Sequence, residues 1–224
     1  MNKLIAVLPL TILTGCAITS TAKSKVDLSV EASAAIVKIS VIEKGQVVSG
    51  SGTWLTKDKI ITAAHLFTDM HPGDKIVIQQ KWKSSSVSIQ AIDNPARRDL
   101  AVLKVTSPNK IFAPENWQVH VCSTELKGGE PLVVASGMYG FIVPTFSSPE
   151  ILTYLNKGPV VAGLTGSFDH GVSGSAVFEQ NTGCLAGIVS QEEVVINKNY
   201  RVYSTRIVTS GDINDFLSQN KILL

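Results

Sequence analysis

Three short stretches of the chain decide its fold: ITAAH at residues 61–65, RDLAVLK at residues 98–104 and GVSGS at residues 171–175. The first ends on His65, the second places Asp99 ahead of an apolar strand, and the third holds Ser173 among glycines. In this order they provide a base, the acid that orients it and a nucleophile for acyl transfer. Each stretch alone is a weak signal, but the combination indicates a hydrolase.

The order and local sequence of these stretches resemble those of the chymotrypsin-like serine proteases. Within that family they are most similar to the HtrA-type bacterial branch. The resemblance covers residues 30–217. It implies an all-β fold of two six-stranded antiparallel β-barrels with the active site between them, followed by a C-terminal α-helix. A serine endopeptidase that works through an acyl-enzyme on Ser173 is therefore expected, with no cofactor.

Two of the three catalytic positions, the acid and the nucleophile, have a competitor nearby. Asp93 lies in an Asp-Asn-Pro turn, whereas Asp99 leads directly into a strand and matches the family pattern, which favours Asp99 as the acid. Ser175 is followed by a strand-like Ala-Val-Phe, which favours Ser173 as the nucleophile. The glycines of this loop permit a tight turn, and the resemblance implies that the N–H groups of Gly171 and Ser173 form the oxyanion hole.

The resemblance also assigns residues to substrate binding. Ser190 would support the triad aspartate and pair with substrate backbone, and Ser167 would lie at the base of the primary pocket, where trypsin-like enzymes carry a carboxylate. Gln191 and Glu192 would line the pocket entrance. For Glu192 three roles stay open: it narrows the pocket, it pairs with Arg201 of the neighbouring strand, or it selects a basic side chain.

The start of the chain is typical of a targeting segment. Lys3 precedes an apolar stretch over residues 4–14, too short to cross a bilayer but long enough for a secretory signal. LTGC at residues 13–16 resembles the bacterial lipobox, which implies cleavage before Cys16 and acyl chains such as palmitate on its thiol. A plain signal peptide is the alternative. Since alanine follows Cys16, we expect an exported lipoprotein of the outer membrane that faces the periplasm.

Export changes the interpretation of the other two cysteines. Cys122 and Cys184 form an even pair in an oxidising compartment, and no Cys-x-x-Cys suggests a metal site. Two separate buried thiols are the alternative. In the fold that the resemblance implies, the two stretches can lie close together, so a disulfide is expected.

Short β-branched runs separated by turn residues fill most of the chain, which is typical of a sandwich or barrel. We divide it into a signal peptide at residues 1–15, a lipidated tether at 16–28, an N-terminal barrel at 29–112 and a C-terminal barrel with the terminal helix at 113–224. Strands are predicted over residues 35–42, 46–49, 52–55, 59–62, 75–81, 86–92, 100–105, 130–136, 158–163, 175–178, 184–190 and 200–204. A helix is predicted from a capping Ser210, with Ile213, Phe216 and Leu217 on its buried face. No PDZ module is expected after it.

Val172 bears on activation. Trypsin-like zymogens carry an aspartate before the nucleophile, and a newly freed α-amino group pairs with it. Because valine has no charge, we expect the oxyanion loop to be ordered by packing of Val172 into the core or by substrate. A chain that starts near Leu28 is therefore predicted to be active.

Composition limits the partners. The formal net charge of +2 and the lack of dense Lys/Arg runs argue against nucleic acid, which leaves peptide or protein substrates and a membrane bound through Cys16. One rival interpretation is a non-cleaving binding or chaperone-like module on the same fold. Another is an esterase, but the His, Asp, Ser order and the lack of Gly-x-Ser-x-Gly argue against an α/β-hydrolase.

Overall fold

The computed structural model describes residues 32–107, 113–115, 117–146, 162–165, 171–197 and 200–224, and the chain there is mostly β. A helical turn over residues 32–35 leads into the first strand. The first six strands are β1 (Ile36–Glu43), β2 (Gln46–Trp54), β3 (Lys59–Thr62), β4 (Lys75–Gln80), β5 (Lys83–Ile92) and β6 (Ala101–Val105). They form a closed antiparallel barrel in the order β1-β2-β3-β6-β5-β4.

The second half of the chain forms one antiparallel sheet. Its strands are β7 (Pro131–Ser136), β8 (Phe141–Phe146), β9 (Ala162–Thr165), β10 (Ala176–Glu179), β11 (Leu185–Asn197) and β12 (Tyr200–Thr209). They are ordered β8-β7-β10-β11-β12-β9. Within the described residues the end strands β8 and β9 share no hydrogen-bonded ladder. The all-β prediction and the six strands in each half are confirmed, while the closed barrel is observed for the first half.

One strand was not predicted, and another prediction lies partly outside the described residues. Strand β8 was missed because Pro144 interrupts its apolar run, and proline is excluded from central strands; here β8 lies at the end of the sheet, where proline is tolerated. Strand β9 begins at Ala162, and residues 158–161 of the predicted strand lie outside the described residues.

The C-terminal helix spans Ser210–Gln219 and buries Ile213, Phe216 and Leu217 as predicted. The predicted cap was wrong by one residue. Thr209 still has extended backbone, and its side chain accepts a hydrogen bond from the Asp212 N–H, so Thr209 is the N-cap. Within the described residues, none of the helices has the length and apolar character that crossing a bilayer requires.

Three groups of buried side chains hold this architecture together. One fills the first barrel, and another packs inside the second sheet. The third lies between the two halves and includes helix residues Ile213, Phe216 and Leu217 together with Ile61 and Leu100 of the first half. The helix therefore packs against the shared core, close to the ends of the strands that carry His65 and Asp99.

Candidate active site

His65 and Asp99 lie side by side because their strands are neighbours. Strand β3 pairs with β6, with Thr62 opposite Ala101, so the chain after β3 and the chain before β6 meet at one end of the barrel. The His65 ring nitrogen Nδ1 lies 2.7 Å from Asp99 Oδ2, and the His65 backbone N–H donates to Oδ1 at 2.7 Å. The carboxylate thus fixes both the backbone and the ring of His65.

Ser190 completes the surroundings of Asp99. A register shift between Val189 and Gln191 forms a bulge in β11, and the Ser190 hydroxyl at this bulge donates to Asp99 Oδ2 at 2.6 Å. Burial alone raises the pKa of Asp99, but hydrogen bonds from His65 and Ser190, with the charge of His65, outweigh it. The pKa of this carboxyl therefore lies below its ordinary value of 3.8.

Asp93, the alternative acid, has different partners. Its carboxylate accepts from the Asn94 backbone N–H at 2.8 Å and from Arg98 Nε at 3.0 Å. The buried Arg98 also donates to Gln219 of the C-terminal helix at 2.6 Å. Asp93 therefore belongs to a turn and ion-pair network that joins the helix to the segment before Asp99, and the contact to His65 comes from Asp99.

Ser173 lies on the loop before β10, between two glycines in the left-handed region. Gly171 has φ of +90° and Gly174 has φ of +82°, which other residues adopt only with strain. A Cβ atom on Gly174 would collide with the Ser51 carbonyl oxygen and with Thr62 Oγ1. The glycines thus allow the nucleophile loop to approach the first barrel at the strand that leads to His65.

Ser51 is a residue that the sequence reasoning missed. This fully buried serine of β2 donates its backbone N–H to the Ser173 carbonyl at 2.8 Å and its hydroxyl to the Gly171 carbonyl at 3.3 Å. The same hydroxyl accepts from the Met138 backbone N–H at 3.0 Å and lies 3.1 Å from Ser136 Oγ. Its sequence signal, a serine between Gly50 and Gly52 within a strand, indicates close backbone approach.

Comparison with known proteins agrees with this geometry. Residues 50–188, more than half of the chain, match the model of the trypsin-like peptidase domain. The chain belongs to this family. It is therefore a serine protease by family, and the matched range contains His65, Asp99 and Ser173. No curated protein matches the chain.

Solved structures show the same fold. The active form of the Rv3671c protease from M. tuberculosis has a TM-score of 0.63 at 17% identity, over 98% of this chain and 96% of that chain. An inactive serine-to-alanine mutant of Rv3671c from M. tuberculosis H37Rv has a TM-score of 0.62 at 17% identity, over 90% of this chain and 95% of that chain. At this identity the likeness shows the fold alone.

Val172 and Ser175 point into the peptidase and away from solvent. Val172 is 2% exposed and packs in the core of the second sheet, as expected for a loop ordered without a charged pair. Ser175 is fully buried, and its Oγ has no hydrogen-bond partner among the described residues. A substrate cannot reach Ser175 in this conformation, whereas Ser173 is partly exposed.

The predicted specificity residues are only partly brought together. Gln191 follows the bulge on β11 and is exposed. Three roles were left open for Glu192, and the ladder bears on one of them: it places Glu192 opposite Thr205 and Arg201 opposite Ile196, so the two residues are not register partners. The bulge and the length of the β11–β12 hairpin set this register. Ser167 lies outside the described residues.

The predicted disulfide between Cys122 and Cys184 is confirmed, with a Cα–Cα distance of 5.1 Å. Backbone hydrogen bonds bring the two together: Cys122 N–H donates to the Leu185 carbonyl at 3.0 Å, and Leu185 N–H donates to the His120 carbonyl at 2.7 Å.

Among the described residues, no group of three or more His, Cys, Asp or Glu side chains is arranged to hold a metal ion.

Proposed function

We propose that this peptidase is a serine endopeptidase that hydrolyses internal peptide bonds of proteins or peptides through an acyl-enzyme on Ser173. The observation that carries the proposal is the hydrogen-bonded series Ser190–Asp99–His65, with the glycine-flanked Ser173 loop seated against the same end of the first barrel. Such a series orients a general base toward a serine hydroxyl, which is the arrangement that acyl transfer requires.

The proposal gives each group a role. Because His65 Nδ1 faces the Asp99 carboxylate, the Nε2 lone pair is left to take the proton from Ser173 Oγ as Oγ bonds to the scissile carbonyl carbon. The N–H groups of Gly171 and Ser173 stabilise the oxyanion that forms. When the C–N bond breaks, His65 returns the proton to the leaving amine. A water molecule then repeats the sequence, releases the acid product and restores Ser173.

The catalytic assignment is tested with Ser173→Ala and His65→Ala, each expected to lower kcat by a factor on the order of 10⁶ because the triad acts as a unit. Ser175→Ala is the matched control, since it removes a neighbouring hydroxyl that has no described partner. Mapping of new N-termini in a proteome treated with each variant would identify internal cleavage sites. A serine-directed phosphonate should label the wild type and Ser175→Ala but not Ser173→Ala. Failure to label the wild type would favour a binding module.

Export and anchoring form the second part of the proposal. The apolar leader and the LTGC stretch support lipidation of Cys16 and placement in the outer membrane facing the periplasm; both lie outside the described residues. Cys16→Ser should leave the chain unprocessed or release it into the soluble fraction. Mass spectrometry that finds unmodified Cys16 in membrane-bound protein would contradict the anchor without affecting the catalytic assignment.

A further inference from the structure

The first barrel has two distinct ends. The antiparallel registers place Ile36 beside Thr53 and Glu43 beside Gln46, so the start of β1 and the end of β2 share one end. The same reasoning puts the β4–β5 turn at that end, since Lys38 pairs with Gln79. His65 follows β3 at the other end. An eight-residue strand such as β1 separates the two ends by about 25 Å.

A tryptophan projects from the end that is remote from His65. Trp82 lies in the two-residue turn between β4 and β5 and is 99% exposed, whereas Trp54 is fully buried. The turn is also strained, because Lys81 has φ of +54°, in a position where hairpin turns usually carry glycine. Because the indole is 99% exposed, it adds almost nothing to the packing of the barrel and is available for contact with another surface.

The N-terminal part of the chain enters the fold at this same end. Gln80, the residue before the turn, donates from Nε2 to the Ala34 carbonyl at 2.6 Å. Residue 32, where the described structure begins, therefore lies at the same end of the barrel as the β4–β5 turn. From residue 16 to residue 32 an extended chain reaches at most about 55 Å, so a lipid anchor on Cys16 would hold the barrel within that distance of the membrane.

The charges beside Trp82 suit an anionic surface. Lys81 and Lys83 flank the indole on both sides, and both are exposed. Tryptophan prefers the headgroup region of a bilayer, and each lysine near an anionic leaflet adds attraction. A folded partner would require a larger apolar area than this turn offers. Lipid headgroups fit better, because they match one exposed indole with two adjacent ammonium groups near the chain entry.

We infer that the Lys81–Trp82–Lys83 turn docks this end of the barrel on an anionic lipid surface. Trp82 inserts among the headgroups, and the two lysines contact lipid phosphates. Docking in this orientation turns the opposite end, with His65 and Asp99, toward the aqueous side. The inference does not depend on the catalytic proposal, but it rests on the proposed export, which brings the chain to a lipid surface.

The test uses the full chain mixed with phosphatidylglycerol vesicles whose acyl chains are brominated, because bromine quenches nearby tryptophan. Emission from Trp82 is obtained as the difference between the wild type and Trp82→Phe, which keeps Trp54 and Trp117. We expect quenching of the Trp82 emission in phosphatidylglycerol and much less in phosphatidylcholine. Lys81→Gln and Lys83→Gln together should weaken docking by about fivefold for each lysine.

A matched control reports on the other end of the barrel. Val47, which is 59% exposed beside the end of β1, is replaced in Val47→Trp on the Trp82→Phe background. This indole should stay unquenched. Equal quenching at both positions would show tethering without orientation, and no quenching of Trp82 in phosphatidylglycerol would show no docking; either result overturns the inference. Binding of a protein partner through Trp82, without quenching by lipid, would also overturn the inference.

Discussion

The two halves of the molecule contribute to the site in different ways. The first barrel holds His65 and Asp99 on adjacent strand ends, joined by two hydrogen bonds of 2.7 Å. The second half supplies Ser173 on a loop, and that loop takes two of its contacts from Ser51 of the first barrel. The base–acid pair is therefore built within one barrel, whereas the position of the nucleophile depends on the interface. Changes to each half should have separable effects.

Among the changes that separate the two halves, the largest effect is expected for Asp99→Asn, which alters the His65–Asp99 pair of the first barrel and the contact of Asp99 with Ser190. Asparagine would reverse the hydrogen bonding at His65 Nδ1 and disfavour the productive tautomer, so kcat should fall by a factor on the order of 10⁴ with KM nearly unchanged. Steady-state kinetics on a peptide substrate measures this. A loss below about tenfold would mean that Asp99 does not orient His65.

The same variant has a consequence for acid stability. Folding lowers the pKa of Asp99, so its ionisation stabilises the protein above about pH 3.8, and this contribution is lost as the pH falls through the lower folded value. In Asp99→Asn the free energy of unfolding should therefore vary less with pH in the acid range. Urea denaturation at a series of pH values measures the free energy of unfolding of both proteins. An identical pH dependence in the wild type and in Asp99→Asn would contradict the lowered pKa of Asp99.

Removal of the disulfide should affect the stability of the second half. The double variant Cys122→Ser, Cys184→Ser opens a loop with a sequence separation of 62 residues, which corresponds to about 4 kcal/mol in the chain-entropy model. Denaturant unfolding measures the loss. Since the His65–Asp99 pair lies in the other barrel and contacts with Ser51 hold the Ser173 loop, kcat at low temperature should stay close to that of the wild type. A large drop in kcat with unchanged stability would contradict the expectation that the disulfide acts on stability and not on catalysis.

Ser51→Ala probes the interface between the halves. The change leaves the Gly171 carbonyl and the Met138 N–H without the Ser51 hydroxyl, so the oxyanion loop should lose order. We expect kcat to fall by about 10² with little change in KM, because an oxyanion contact acts in the transition state.

Ser136→Ala is the control for this variant. It removes one hydrogen bond to the Ser51 hydroxyl but leaves the Gly171 contact in place. The two variants should lose similar melting temperature and differ in kcat. If their activities fall in proportion to their stabilities, Ser51 has a structural role and does not position the loop.

The smallest effect is expected at the N-terminus. Val172 is buried in the second-sheet core, so the oxyanion loop has a means of ordering that needs no new α-amino group. Chains that start at residues 27, 28, 29 or 30 should have equal kcat within about twofold, since all of them keep every described residue. Activity restricted to one start residue would restore a zymogen mechanism.

Local pattern was enough to predict much of the fold. Eleven of the twelve described strands overlap predicted β-branched runs bounded by turn residues, and Ile213, Phe216 and Leu217 are buried as helical spacing requires. The missed strand β8 contains Pro144, where an end position in the sheet overrides the local signal. The helix cap moved to Thr209 because backbone conformation, which composition does not encode, decides which side chain can cap.

The sequence by itself determined which chemical groups are present. Local context was enough to identify the side chains of His65, Asp99 and Ser173, the glycines of the Ser173 loop and the pair of cysteines. Their catalytic roles stay predictions. The tertiary structure alone decided the Ser51 contacts, the register that separates Glu192 from Arg201, and the exposure of Trp82 beside the chain entry. These features join segments far apart in the chain, and their geometry depends on bulges and strand packing that no local pattern contains.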